Sequence, residues 1–188
     1  MYGLVNRALQ QLVRSQCGER VWDEIRAKAG VDHEVFMRMD SYPDEVTYRL
    51  VAAASEVLAM PVDGMLREFG RYWTRYTMDE GYGALLSDLG SSLHEALAAL
   101  DAMHARVALL YPALRPPTFK VSSDDPSRIR LEYRSHRTGL APMVIGLIEG
   151  MGERYGVRVA VSHLQARNEQ HDYDLFDICI TGSLTDGD

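Results

Sequence analysis

The hydrophobic period of this chain changes at Pro116-Pro117, and that change limits the folds open to it. Upstream, apolar residues recur at helical spacing; downstream they mostly alternate, as strands do. Leu4, Val5, Ala8, Leu9, Leu12 and Val13 share one helical face, with Gly18 placed to cap it. A short helix around Trp22 and Ile25 is expected to stop at Gly30. The next follows Ser41-Tyr42-Pro43, with Asp44 and Glu45 at the positive end of its dipole and Val46, Leu50, Val51, Ala54, Val57 and Leu58 on its apolar face. Pro61 opens a further helix bearing Met65, Leu66, Phe69, Tyr72, Trp73 and Tyr76, and 80–89 reads as a shorter piece flanked by glycines. Ser92-Leu93-His94-Glu95 has the spacing of a capping box. The helix it opens runs to Leu110, where Tyr111-Pro112 stops it.

Past the prolines, 118–122 and 128–137 alternate, joined by a turn at Asp124-Asp125-Pro126-Ser127. A helix over about 141–155 carries Met143, Val144, Leu147, Ile148 and Met151, and two more alternating segments cover 157–165 and 174–181. The acidic residues from 182 onward read as a loose tail. The expected class is α+β: a helical part packed on helices and a four-stranded antiparallel sheet, with a subdomain border near Pro61. We expect one domain over 1–182, divided into about 1–60 and 61–182, and a tail at 183–188.

Composition excludes several functions. A net charge of −7 opposes non-specific grip on nucleic acid or an anionic membrane surface. The two cysteines, Cys17 and Cys179, form no zinc or disulfide framework. The start Met1-Tyr2-Gly3-Leu4 has no signal-peptide character, and no apolar run is long enough to span a bilayer, so a cytoplasmic location is expected. There is no GxSxG, HExxH or P-loop, and the chain is read as a non-enzyme.

Two features bear on chemistry. Leu93, Leu97, Leu100 and His104 lie 4, 3 and 4 residues apart, so His104 continues an apolar stripe, flanked by Met103 and Val107. A histidine there is either a core residue bonded to a backbone carbonyl or an axial ligand to haem iron. The second is Tyr133-Arg134-Ser135-His136-Arg137, read as strand. Positions 133, 135 and 137 would then share a face about 6–7 Å apart at each step. That row suits a carboxylate ligand, or is a polar solvent face without one. Pro116-Pro117 is a linker terminator or a rigid wedge against a flat ligand. Trp73 and Met143 are core residues by spacing alone.

Together these residues resemble the H-NOX family of haem nitric oxide/oxygen-binding domains, also found at the N-terminus of soluble guanylate cyclase β subunits. The resemblance runs from Met1-Tyr2-Gly3-Leu4-Val5-Asn6 to the last strand, through 48–58 and Gly81-Tyr82. It is strongest at Leu100-Asp101-Ala102-Met103-His104, Tyr111-Pro112, Pro116-Pro117 and the Tyr133, Ser135, Arg137 set. It implies one b-type haem per chain, ligated by His104, with Tyr133, Ser135 and Arg137 on the propionates and Pro117 pressing on the porphyrin. Leu4, Trp73, Met143, Val144 and Leu147 would form the distal wall, and Leu100 and Met103 would adjoin the cofactor beside His104.

The family's oxygen-binding members use a distal tyrosine. Met143 falls at that place, or Pro142 if the loop is shifted by one residue; neither donates a hydrogen bond, whereas the Trp73 indole can. The resemblance therefore implies a nitric oxide and carbon monoxide sensor that excludes oxygen. Its signal would be weakening of the iron–His104 bond, haem relaxation and movement of the N-terminal helices. With no effector domain following, a separate partner is expected, such as a histidine kinase or a cyclic-di-GMP enzyme, docking near the N-terminal helices or the His104 helix. The alternatives are an oxygen-binding or redox haem protein and a haem-free interaction module using the 133–137 face.

Overall fold

Six helices and one four-stranded sheet make up the described part of the protein, residues 1–78, 89–111, 114–122 and 125–184 of a computed structural model. In chain order these are α1 (Gly3–Cys17), α2 (Glu19–Lys28), α3 (Asp44–Val57), α4 (Val62–Thr77), α5 (Leu93–Leu110), β1 (Thr118–Val121), β2 (Arg128–Arg134), α6 (Ala141–Arg154), β3 (Val157–Gln165) and β4 (Asp174–Ser183). The sheet order is β1-β2-β4-β3, with every neighbouring pair antiparallel. The α+β class expected from the period change is the observed one. The 80–88 segment, Gly81-Tyr82, Pro112, Asp124 and the tail from 185 lie outside the described residues.

Local chemistry places the boundaries. Gly18 ends α1 at φ 88° and Gly30 follows α2 at φ 59°, left-handed positions that glycine adopts without a Cβ clash. At the start of α5 the Ser92 hydroxyl accepts from the Glu95 N–H at 3.2 Å. The return arm of this capping box goes one residue further back than expected: Glu95 Oε2 accepts from the N–H of Ser91 at 2.7 Å.

Strand β2 corrects one expectation, since it ends at Arg134 rather than Arg137. In the β1–β2 register Thr118 faces Arg134, so Ser135 would face Pro117, which has no N–H to donate. The Ser135 hydroxyl instead accepts from the N–H of Arg137 at 3.1 Å and turns the chain. At the other end of the chain β4 outruns its expected limit: Gly182 and Ser183 pair with Arg158 and Val157.

Two apolar clusters result. One gathers buried residues of α1 to α4, including Leu9, Leu12, Trp22, Leu50, Phe69 and Tyr76. The other joins α5 and α6 to the inner sheet face through Leu93, Leu97, Ile129, Leu131, Val144, Ile148, Phe176 and Ile178. Pro61 separates α3 from α4 along the chain, whereas the buried residues change cluster after Tyr76.

The seam between the clusters is α4 against α6. A Cβ at Gly146 would stand 1.9 Å from the Arg67 carbonyl oxygen, and one at Gly70 would stand 2.1 Å from that of Met143. Only glycine lets the two backbones come so close. Beside this contact the buried Glu149 carboxylate accepts from Arg67 and lies 3.1 Å from Arg71 Nε.

Candidate functional site

The seam roofs a cavity of about 320 Å³ between the two clusters. From α5 come Leu100, Met103 and His104; from β2 and the bend after it, Tyr133, Ser135 and Arg137. Pro117 precedes β1, and Leu4, Trp73, Met143, Val144 and Leu147 arrive from α1, α4 and α6. The structure thus brings every site residue expected from the sequence to one cavity. Ser135 and Arg137 reach it from the bend rather than from a continuous strand face.

His104 stacks on Phe119, ring centroids 5.5 Å apart, and Phe119 meets Tyr133 at 5.4 Å. Asp101, one turn before His104, accepts the Phe119 N–H at 3.2 Å and ties α5 to β1. The His104 Nδ1 is buried, away from the cavity, and has no hydrogen-bond partner among the described residues. Burial holds the imidazole below its usual pKa, opposed by Asp101 and the nearby Pro117 carbonyl, which makes no bond of acceptable geometry to Nδ1. The ring is therefore neutral at pH 7, the form that ligates a metal.

Burial also raises the Tyr133 pKa, with the Ser135 hydroxyl opposing, so the phenol stays a donor. Arg137 is engaged more than expected: Nε donates to Asp44 Oδ2 at 3.0 Å, Nη2 to Asp44 Oδ1 at 3.3 Å, and Nη1 to the Arg115 carbonyl at 3.2 Å. A guanidinium has five N–H donors, so one remains on each Nη among the described residues. Asp44 also accepts from the N-terminal ammonium. Burial raises the Asp44 pKa, but that ammonium and Arg137 together bring it below the usual value. Tyr48 of α3 donates to the Thr138 carbonyl at 3.1 Å, a second tie between α3 and the bend.

The roof is poor in donors. Thr74 and Thr77 also line the cavity, but their hydroxyls donate to the carbonyls of Arg71 and Trp73, each at 2.8 Å. The Trp73 indole makes no hydrogen bond among the described residues.

Sequence reading missed Met1, Tyr2, Arg38, Met39 and Phe119 as lining residues. The alternation of β1 places Phe119 inward. Nothing local marks the others, which are brought in by the Tyr2–Ser41 bridge and the Arg38 carbonyl accepting from Leu4 N–H. Among the described residues, no helix is long and apolar enough to cross a membrane.

The family model described as Haem-NO-binding matches residues 2–163. "Soluble guanylate cyclase gcy-35" of Caenorhabditis elegans is 27% identical over 177 residues, covering 91% of this chain and 25% of that protein. "Soluble guanylate cyclase 89Db" of Drosophila melanogaster is 25% identical over 170 residues, covering 90% and 25%. The chain thus spans about a quarter of the length of these relatives. An H-NOX protein from S. oneidensis in the Fe(II)NO state superposes with a TM-score of 0.85 at 21% identity, covering 97% of this chain and 100% of that one. The unliganded Fe(II) H-NOX protein from K. algicida gives 0.83 at 21% identity, covering 98% of each.

Proposed function

Since this chain belongs to the Haem-NO-binding (H-NOX) family of haem-binding gas-sensor domains, we propose that it is a sensor whose haem iron is ligated by His104. The observation that carries this reading is a neutral, largely buried imidazole lining a largely apolar cavity together with Tyr133, Ser135 and Arg137. The cofactor is a non-covalent, b-type haem: neither cysteine lines the cavity to attach one.

When bound, the haem, held by His104, would supply a ferrous centre able to take nitric oxide or carbon monoxide. Tyr133, Ser135 and the remaining N–H groups of Arg137 would donate to the propionates. Pro117, which lines the same cavity, would add bulk without an N–H. Leu4, Trp73, Met143, Val144 and Leu147 exclude water, and Met143 offers no hydrogen to oxygen. Leu4 on α1 touches the cavity directly, and Asp44 links Arg137 to the N-terminus, so the N-terminal helices are tied to the cavity at two places. The message passes to a signalling protein such as a histidine kinase or a cyclic-di-GMP enzyme.

A second reading, an oxygen-binding or redox haem protein, is favoured by one observation, the Trp73 indole N–H that is unpaired among the described residues. The absorption spectrum of reduced, haem-loaded protein separates the two. We expect a Soret band that shifts with nitric oxide, is unchanged in air, and loses its histidine-ligated form in His104→Gly. A stable oxygen complex would move the assignment to the second reading; no Soret band at all would overturn both.

A further inference from the structure

The outer face of the sheet carries a charge pattern that gas sensing does not use. The even-numbered residues of β1 and β2 face away from the core, as do Arg158, Ala160 and Ser162 of β3. This face holds five cations, Lys120, Arg128, Arg130, Arg134 and Arg158, and two carboxylates, Glu132 and Asp177.

The two signs lie at different depths. Glu132 and Asp177 keep 13% and 9% of their side-chain exposure, against 66, 59, 42 and 35% for Lys120, Arg128, Arg130 and Arg134. Asp177 lies 2.8 Å from Arg130 Nε and 3.1 Å from Arg128 Nη2, while Glu132 lies 2.8 Å from Arg134 Nη1. Each of these two acids therefore orients guanidinium groups outward, and solvent meets a layer in which cations predominate over one exposed carboxylate, Asp172, beside Arg134. Arg134 is fixed further by Asp172 at 3.1 Å and by the Tyr173 ring at 4.6 Å. In the middle, the short side chains of Ala160 and Ser162 pair with Cys179 and Asp177.

We infer that this sheet face is a docking surface for an acidic patch or segment of a partner protein. Pre-oriented guanidinium groups lose little freedom on pairing with carboxylates. The chain as a whole is at −7, so an extended polyanion such as a nucleic acid or a membrane surface meets net repulsion beyond this face. A partner's acidic patch of matching size does not, since charges farther off than about 8 Å are screened at physiological salt. The inference is independent of the haem assignment.

Fluorescence anisotropy of a labelled poly-glutamate peptide with the full chain tests it. We expect binding at low salt that weakens as salt rises. The double variant Lys120→Glu/Arg158→Glu, which leaves Arg128, Arg130 and Arg134 on their carboxylates, should bind about tenfold more weakly. Glu132→Gln should bind more tightly, with circular dichroism showing that both variants fold. No peptide binding, or binding indifferent to these substitutions, overturns the inference. Tighter binding of the same face to phosphatidylglycerol vesicles or duplex DNA overturns the assignment to a protein partner.

Discussion

Along the wall made by α5, β2 and the bend after it, polar side chains line the cavity: the His104 imidazole, the Tyr133 phenol, the Ser135 hydroxyl and the Arg137 guanidinium. Along the roof made by α4 and α6, threonine hydroxyls are turned onto carbonyls, and glycines bring two backbones together. The first wall concentrates the polar groups of the site. The second turns its threonine hydroxyls inward on its own carbonyls, keeps the Trp73 indole as its donor, and mainly sets shape. A site can thus separate grip from selection by giving one wall most of the donors and the other mostly volume.

Removing the grip should have the largest effect. His104→Gly should abolish the histidine-ligated Soret form, and added imidazole should restore it; an unchanged spectrum would place the ligand elsewhere. The roof should break almost as sharply. In Gly146→Val the new side chain meets the Arg67 carbonyl, and thermal denaturation should show a loss of at least about 3 kcal/mol. A variant as stable as the parent would mean that the two backbones are not in close contact.

Arg137→Ala tests the middle of the comparison. It should weaken haem affinity by roughly 10- to 100-fold, as expected for charge-assisted bonds to a carboxylate, with Tyr133→Phe losing less. Equal losses from both would show that charge contributes nothing there. Asp44→Asn should then show what holds Arg137. The folded-state pKa of Asp44 is depressed, so its contribution is present above the unfolded carboxylate value and lost as pH falls through the folded one. The stability gap between parent and variant, roughly 1 kcal/mol at neutral pH, should therefore close in acid. A gap constant with pH would assign the effect to shape. Trp73→Phe should be the mildest change, leaving haem uptake intact and altering only the response to oxygen.

Much of the fold was legible because each helix declares its own period and stops. Gly18, Gly30, Pro43 and Pro61 act through their own backbones, so their positions translate into boundaries without knowledge of neighbours. The His104 stripe was visible for the same reason. The end of β2 was not, because it depends on Pro117, a residue on another strand that lacks the N–H Ser135 would need. The pairing of Arg137 with Asp44 crosses 93 residues and leaves no local signal.

By itself the sequence determined the element types, the α+β class and the candidate site residues, since periodicity, caps and side-chain donors are local properties. Tertiary structure alone decided that these residues share one cavity, that glycines close its roof, and that an N-terminal carboxylate holds the arginine at its mouth. Those facts rest on through-space distances between segments far apart in the chain, which no local pattern encodes.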